Sequence, residues 1–519
     1  MDEENEVCIS ERKNDMENQN KSANPEAGRK RIIIIPVVFL VLLLAGVTIA
    51  ILVFNKGFGG NKKRIAQLMA IEGVVDVQKI KRGYSPFSEK YMVIFEQPLD
   101  WSDPSKGTFP QRVEVAFRKN ARITVIETQG YCFYDKFRED FFSIEPGPEM
   151  ADYFDGNYVN VEHRFFGDSK PADLSSKDTK YWEYHTAENA ANDYHKIYTS
   201  LKPVLGDKWV SVGTSRGGLM TNVYGFYYPD DMLVYIPYVA PCADGMNDER
   251  FYDRIYLELG NEAYGEEQGK SMRDLVTAFQ VEALRYKEDV LPKYKEKISG
   301  SQYEFESRLT PEVLYDVNVL EFAANFWQYG GDFEKLGAIV AMPDSTEEER
   351  EAKRNAVYEF LVNTQDPEDW SQSSWAWPYY VNTATTYGQH HYNFSYLREA
   401  LEKEGLSDTL SVTEEMEPNL LPLLVFTEEQ QEAFQYDRSF HDALVSSFDT
   451  TTAKHLMIFG GTDPWTGLAI PVGESENTRI FVNPTKPHDA AIKNMPDDMQ
   501  KEILNLLKEW LGEDYNEGI

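Results

Sequence analysis

An α/β fold is the expectation this sequence sets, and three observations carry it. Strand-like and helix-like segments alternate over residues 91–238, a second block of the same kind spans about 454–511, and the stretch between them changes to charged amphipathic helices. Alternation of strand and helix argues a mostly parallel sheet covered on both faces. The change of pattern argues a helical lid inserted between two parts of one sheet domain. At 519 residues the chain exceeds one ordinary core, and a sheet domain with a lid uses that length.

From the N-terminus, residues 1–31 form a charged tail and residues 32–54 are a run of 23 residues without a charge. Such a run is long enough to cross about 30 Å of hydrocarbon, and Pro36 and Gly46 are tolerated in a membrane helix. A cleavable signal peptide competes, but the tail is too long for a usual n-region and the run exceeds an h-region of roughly 7–15 residues. An uncleaved signal-anchor, one transmembrane helix, is favoured. Residues 55–90 read as a glycine-containing tether and lead-in.

The first part of the sheet domain, 91–242, holds strand-like runs at 122–127, 158–161, 209–212 and 232–239, with a helix at 188–205. The lid, 243–447, contains helical stretches such as 272–279 and 281–284. Within it Trp327, Tyr329, Trp370, Trp375, Trp377, Tyr379 and Tyr380 crowd two short segments, as core, as the wall of a ligand pocket, or both. The second part, 448–519, has strand-like runs at 455–459 and 479–482. Its last helix, 497–510, places Met499, Ile503, Leu506, Leu507 and Trp510 at helical spacing.

The sextet GTSRGG (213–218) sits between the strand-like run WVSV and a helix-like segment beginning near Leu219. A strand that turns sharply into a helix leaves little room for side chains, so glycines flank Ser215 and its hydroxyl is held out above the sheet. That setting makes Ser215 the candidate nucleophile and puts the Arg216 backbone N–H at a helix N-terminus, where it can meet an oxyanion. A second oxyanion donor is expected from the loop after strand 122–127, at Gly130 or Tyr131.

A serine hydroxyl needs a base, and the base needs an acid to orient it. On an α/β-hydrolase scaffold the chain order is Ser, acid, His. Of eight histidines, His163, His185 and His195 precede Ser215, while His390, His391 and His441 lie without strand periodicity. His455 opens an apolar run and reads as structural. His488 follows the strand-like run 479–482 through the loop NPTKP, where a last strand delivers a general base. Asp463, in GGTDPWTG after the run 455–459, then falls where catalytic groups gather at the C-terminal ends of parallel strands; Asp before Pro is also a common turn cap. Glu162 and Arg164 follow the strand-like run 158–161 and read as a pair stiffening the loops beside the site rather than as substrate contacts.

With these residues placed, the chain resembles the secreted prolyl tri/tetrapeptidyl aminopeptidases, serine peptidases more distantly related to the lysosomal Pro-Xaa carboxypeptidases. The resemblance rests on PLDWSDP (98–104), GTFPQR (107–112), ETQGY (127–131), EHRFFG (162–167), GTSRGG and GTDPW (461–465), and runs from about residue 91 to the C-terminus. It implies an α/β-hydrolase fold, the triad Ser215, Asp463 and His488, and release of short peptides from a free N-terminus with proline before the scissile bond. A carboxylic ester hydrolase with the same triad and a non-catalytic membrane-displayed binding protein are the rival readings.

The net charge of −34 argues against nucleic acid as a partner, and peptides are the expected one. Nothing resembles a phosphate loop or a zincin helix, and His390-His391 are adjacent, a poor spacing for two metal ligands, so no cofactor or metal is expected. Basic residues flank the run 32–54 on both sides, and export of the enzyme places the catalytic domain outside the cell membrane. Cys8 is in the tail; Cys132 and Cys242 are either one disulfide or two buried thiols.

Overall fold

The computed structural model describes residues 62–80, 86–133, 146–300, 303–305, 309–473 and 475–516. Residues 32–54 lie outside them, and among the described residues no helix is long and apolar enough to cross a membrane. Nine strands form one sheet: β1 (Val74–Lys79), β2 (Glu89–Pro98), β3 (Thr108–Phe117), β4 (Thr124–Thr128), β5 (Asn157–Val161), β6 (Trp209–Thr214), β7 (Val234–Tyr238), β8 (His455–Gly460) and β9 (Thr478–Asn483). Their spatial order is β1-β2-β3-β5-β4-β6-β7-β8-β9.

The sheet is mixed. From β5 through β4, β6, β7 and β8 to β9 every neighbour is parallel, as the alternation predicts. At the other end β1, β2, β3 and β5 pair antiparallel. There the chain folds back through the short turn around Pro104–Lys106 instead of through a crossover helix, which antiparallel neighbours permit. The sheet also begins upstream of residue 91, because β1 pairs with β2 from Val74 onward.

Strands β4, β5, β7 and β8 are buried at every position, the signature of strands covered on both faces. One face packs helices Ala187–Leu205 and Arg216–Tyr227; the other packs Pro146–Tyr153 and Asp497–Leu511. Thr186 caps the first of these through its side chain to the Asn189 N–H, and Gly206, at φ +98°, ends it. The last helix buries Ile503, Leu504, Leu507 and Leu511, one apolar stripe, and stops at Gly512 in the left-handed region.

The insertion between β7 and β8 is helical and carries a core of its own. At its centre runs helix Pro311–Gln328, started by Thr310 as cap and proline in the first turn, and buried over most of its length. Each fully buried Leu or Phe there is worth about 1.5–3 kcal/mol. The helix therefore packs on both sides, against Glu266–Arg285 and Glu347–Thr364. Its C-terminal end reaches the sheet domain: the Gln328 carbonyl accepts from the His488 N–H at 3.2 Å. Cys132 and Cys242 are both buried and no disulfide joins them.

Candidate active site

Ser215 sits between the end of β6 and helix Arg216–Tyr227 at φ 56°, ψ −123°, a conformation that a non-glycine residue holds only when its surroundings force it. Here the surroundings are backbone. A Cβ on Gly213 would come within 2.2 Å of the Gly217 carbonyl oxygen, and one on Gly217 within 2.5 Å of the Thr128 oxygen. The Thr128 hydroxyl donates to the Gly217 carbonyl at 2.9 Å and lies 2.8 Å from the Thr221 hydroxyl, tying the turn to β4. Although Ser215 occupies the N-cap position, its side chain makes no capping hydrogen bond, so the hydroxyl is not spent on the helix.

The loop after β4 meets this turn directly. A Cβ on Gly130 would stand 2.6 Å from the Gly217 nitrogen and 2.8 Å from the Arg216 Cβ, so only glycine allows the loop so close. Gly130 and Tyr131 thus lie against the first turn of the helix, whose leading N–H groups have no intrahelical acceptor. The Tyr131 ring packs edge-on against Trp375 with centroids 5.2 Å apart.

Asp463 leaves the end of β8 and is fully buried. Its two oxygens divide the two tasks that the sequence allows it. Oδ1 accepts from the Trp465 N–H at 3.0 Å as the cap of a short helical turn, and Oδ2 accepts from His488 Nδ1 at 2.7 Å. Donation from Nδ1–H to this carboxylate fixes the tautomer with Nε2 unprotonated and available as a base. His488 Nε2 is buried and has no hydrogen-bond partner among the described residues, so its link to Ser215 is not closed in this structure. Catalytic hydrogen bonds of this kind commonly tighten only with substrate bound.

Four further contacts hold the acid and base loops, and none has a signal in the sequence. The Arg254 guanidinium donates to the Asp463 carbonyl at 3.0 Å and the Gly461 carbonyl at 2.7 Å. The Gln328 side chain accepts from Trp465 Nε1 at 2.7 Å, and its main chain holds the His488 N–H. Arg254 opens a π-helical turn, Arg254–Glu258, and a second such turn, Thr383–Tyr387, borders the site. Turns of this type recur at functional sites.

Glu162 and Arg164 do not pair with each other, which corrects the sequence expectation. Their strand ends with the two side chains turned apart. Glu162 accepts from Ser169 Oγ at 2.6 Å and the Phe133 N–H at 2.7 Å, with Arg112 at 3.5 Å. Burial pushes its carboxyl up to about 7. Arg164 instead makes two 2.8 Å bonds to the buried Asp193. Both stiffen the loops behind Tyr131, through separate partners.

The remaining histidines have other partners. Burial pulls His455 down to about 3, and it stacks on Tyr235. His390 is buried with Nε2 3.2 Å from Glu321 Oε1, and it lines a cavity of about 30 Å³ beside the first turn of helix Arg216–Tyr227. Leu219, Tyr379, Tyr387, Trp465 and Arg216 form other walls of that cavity. The lid aromatics split accordingly. Trp327, Trp370, Trp377 and Tyr380 are core, Tyr379 faces the cavity, and Tyr329 and Trp375 are exposed.

A mixed sheet whose parallel strands present a strained serine and an Asp-His pair at one edge defines a serine hydrolase of the α/β-hydrolase type. Residues 62–515 match the PS-10 peptidase S37 family, and the chain belongs to that family of serine peptidases. It is 25% identical over 465 residues to the prolyl tri/tetrapeptidyl aminopeptidase of Streptomyces mobaraensis, covering 87% of this chain and 85% of that protein. Among solved structures it is similar to a proline iminopeptidase of Mycobacterium smegmatis, with 12% identity, a TM-score of 0.38, and coverage of 80% of this chain and 98% of that one. A peroxisomal α/β-hydrolase of Saccharomyces cerevisiae matches at 10% identity and TM-score 0.33, covering 85% and 90%. These last two likenesses are distant, and the fold rests on the strand order.

Proposed function

We propose that this serine peptidase is an exopeptidase that releases short, tripeptide-like fragments from free peptide N-termini after proline. Ser215 attacks the carbonyl carbon of the proline residue while His488 Nε2 takes its proton, and Asp463 Oδ2 stabilises the imidazolium that forms. The oxyanion of the tetrahedral intermediate is met by the Arg216 N–H and a donor from Gly130 or Tyr131. Collapse returns the proton from His488 to the leaving amine and leaves an acyl-enzyme on Ser215, which water hydrolyses by the same path.

The observation that carries this reading is the Asp463–His488 bond at 2.7 Å, reached through the order Ser, acid, His around one sheet edge. Specificity for proline is supported by the similarity to the Streptomyces mobaraensis enzyme and by the apolar, aromatic walls of the cavity at Leu219, Tyr387 and Trp465. At about 30 Å³ the cavity is water-sized, so a pyrrolidine ring enters as lid side chains such as Tyr379 yield. Product profiling on a peptide library with free N-termini tests the reading. Fragments ending in proline, absent with Ser215→Ala, are expected; cleavage within blocked peptides, or of short-chain esters alone, would refute it.

We also propose that residues 32–54 anchor the enzyme in the cell membrane with its catalytic domain outside, on the strength of their uncharged length. Activity released from intact cells by an added protease is the expected result. Full activity in the soluble fraction would rule the anchor out.

A further inference from the structure

The mechanism above takes only the backbone of Arg216, yet its side chain is the more unusual feature. The residue is 2% exposed, and its guanidinium donates to Asn382 Oδ1. Its Nε and Nη1 have no hydrogen-bond partner, and among the described residues no carboxylate lies within ion-pair distance. The rings of Phe166, Tyr131 and Tyr379 stand 4.8, 5.6 and 5.9 Å from its centre and attract the cation without supplying an acceptor. Buried donors are nearly always satisfied, and a buried charge without a counter-charge is strongly unfavourable. Arg216 is among the residues lining the same cavity as Leu219, Tyr387 and Trp465, and it follows the nucleophile directly in the chain.

We propose that Arg216 is a specificity-determining residue of the acyl side. Its unpaired N–H groups donate to the backbone carbonyl of the residue before the substrate's proline, and its charge keeps the substrate's α-ammonium at least one residue further away. This rests on the prolyl exopeptidase reading. Proline's nitrogen has no hydrogen, so the peptide bond before it offers an acceptor and no donor. A guanidinium is donor-only and always charged, which matches that group. The acyl side of an N-terminal substrate contains carbonyls and one ammonium, but no main-chain carboxylate. In a dipeptidyl substrate the ammonium belongs to the residue whose carbonyl Arg216 would hold; in a tripeptidyl substrate it is up to about 3.5 Å further off. Repulsion in a desolvated site therefore disfavours the shorter one.

The test is a cycle between enzyme and substrate. Wild type, Arg216→Met and Arg216→Leu are assayed on Ala-Ala-Pro and Ala-Pro leaving-group substrates, and on the Ala-Ala-Pro substrate whose carbonyl before proline is a thioamide, a weaker acceptor. In wild type the thioamide is expected to lower kcat/KM about tenfold and the dipeptidyl substrate to be the poorer by at least as much. In Arg216→Met the thioamide effect falls below about twofold and the preference for tripeptidyl over dipeptidyl substrate narrows severalfold. Equal thioamide effects in wild type and Arg216→Met overturn the inference. Fluorophosphonate labelling at Ser215 shows whether Arg216→Met is folded; should it not label, Arg216→Leu, which likewise removes every donor, decides by the same criterion. If wild type cleaves neither peptide, the exopeptidase reading itself has failed, whereas cleavage with an Arg216-independent thioamide effect removes this inference alone.

Discussion

Two histidines of this molecule hold a carboxylate at the same distance. His488 Nδ1 meets Asp463 Oδ2 at 2.7 Å, and His195 Nδ1 meets Asp231 Oδ2 at 2.7 Å. Their places in the sheet differ. Asp463 follows the end of β8, while Asp231 precedes the start of β7, so the pairs lie toward opposite edges of the parallel strands. Burial differs too: the side chains of Asp463 and His488 are 0% and 10% exposed, those of Asp231 and His195 13% and 36%. The His195 ring stacks on Tyr228 at 4.0 Å, and Asp231 also accepts from the Tyr224 hydroxyl. The difference teaches that an Asp-His distance defines no catalytic pair. The edge of the sheet does, because the strained Ser215 stands only at the C-terminal one.

The largest contrast should come from the two imidazoles. His488→Ala is expected to lower kcat by about 10⁶, the effect of removing the base of a triad. His195→Ala should leave peptide turnover within about twofold, since this pair lies at the opposite edge of the parallel strands from Ser215. Steady-state kinetics on one prolyl substrate suffice, and comparable losses in the two variants would break the comparison. Next come the carboxylates. Asp463→Asn should cost about 10⁴ in kcat by stabilising the wrong tautomer, with thermal stability near wild type. Asp231→Asn should do neither. A Michaelis constant that rises in Asp463→Asn with kcat intact would mean that this residue binds substrate rather than orienting His488.

The same contrast explains what was legible in the sequence. Each residue of the proposed triad occupies a loop just after a strand, a placement that strand pattern, local glycines and chain order make legible. The parallel half of the sheet was legible for the same reason, since each strand and helix declares its own period. The antiparallel end was not, because pairing β1, β2 and β3 with one another depends on partners and not on pattern. Partners also decided Glu162 and Arg164. They are neighbours in sequence, yet one turns to Ser169 and the other to Asp193, 29 residues away. The Asn382 contact of Arg216 and the hold of Gln328 on Trp465 span 166 and 137 residues, distances over which no local motif reports.

Glu162 sharpens the comparison at a third carboxylate, buried like Asp463 but with neutral donors as its closest partners. Arg112, at 3.5 Å, is too distant to offset burial, and the carboxyl is held up to about 7, against a usual value of 4.5. Between those two values the folded protein keeps a proton that the unfolded chain has released. The folded state then binds more protons, so this group's contribution to stability falls as pH rises from 4.5 and stops changing above about 7. The full excursion is roughly 1–3 kcal/mol. Denaturant unfolding at several pH values should therefore show a downward slope in wild type that is flatter in Glu162→Gln, whose amide keeps the oxygen facing the Phe133 N–H and has no proton to lose. Parallel slopes would mean that Glu162 is already ionised in the folded protein, held by Arg112 in the manner of an ordinary ion pair.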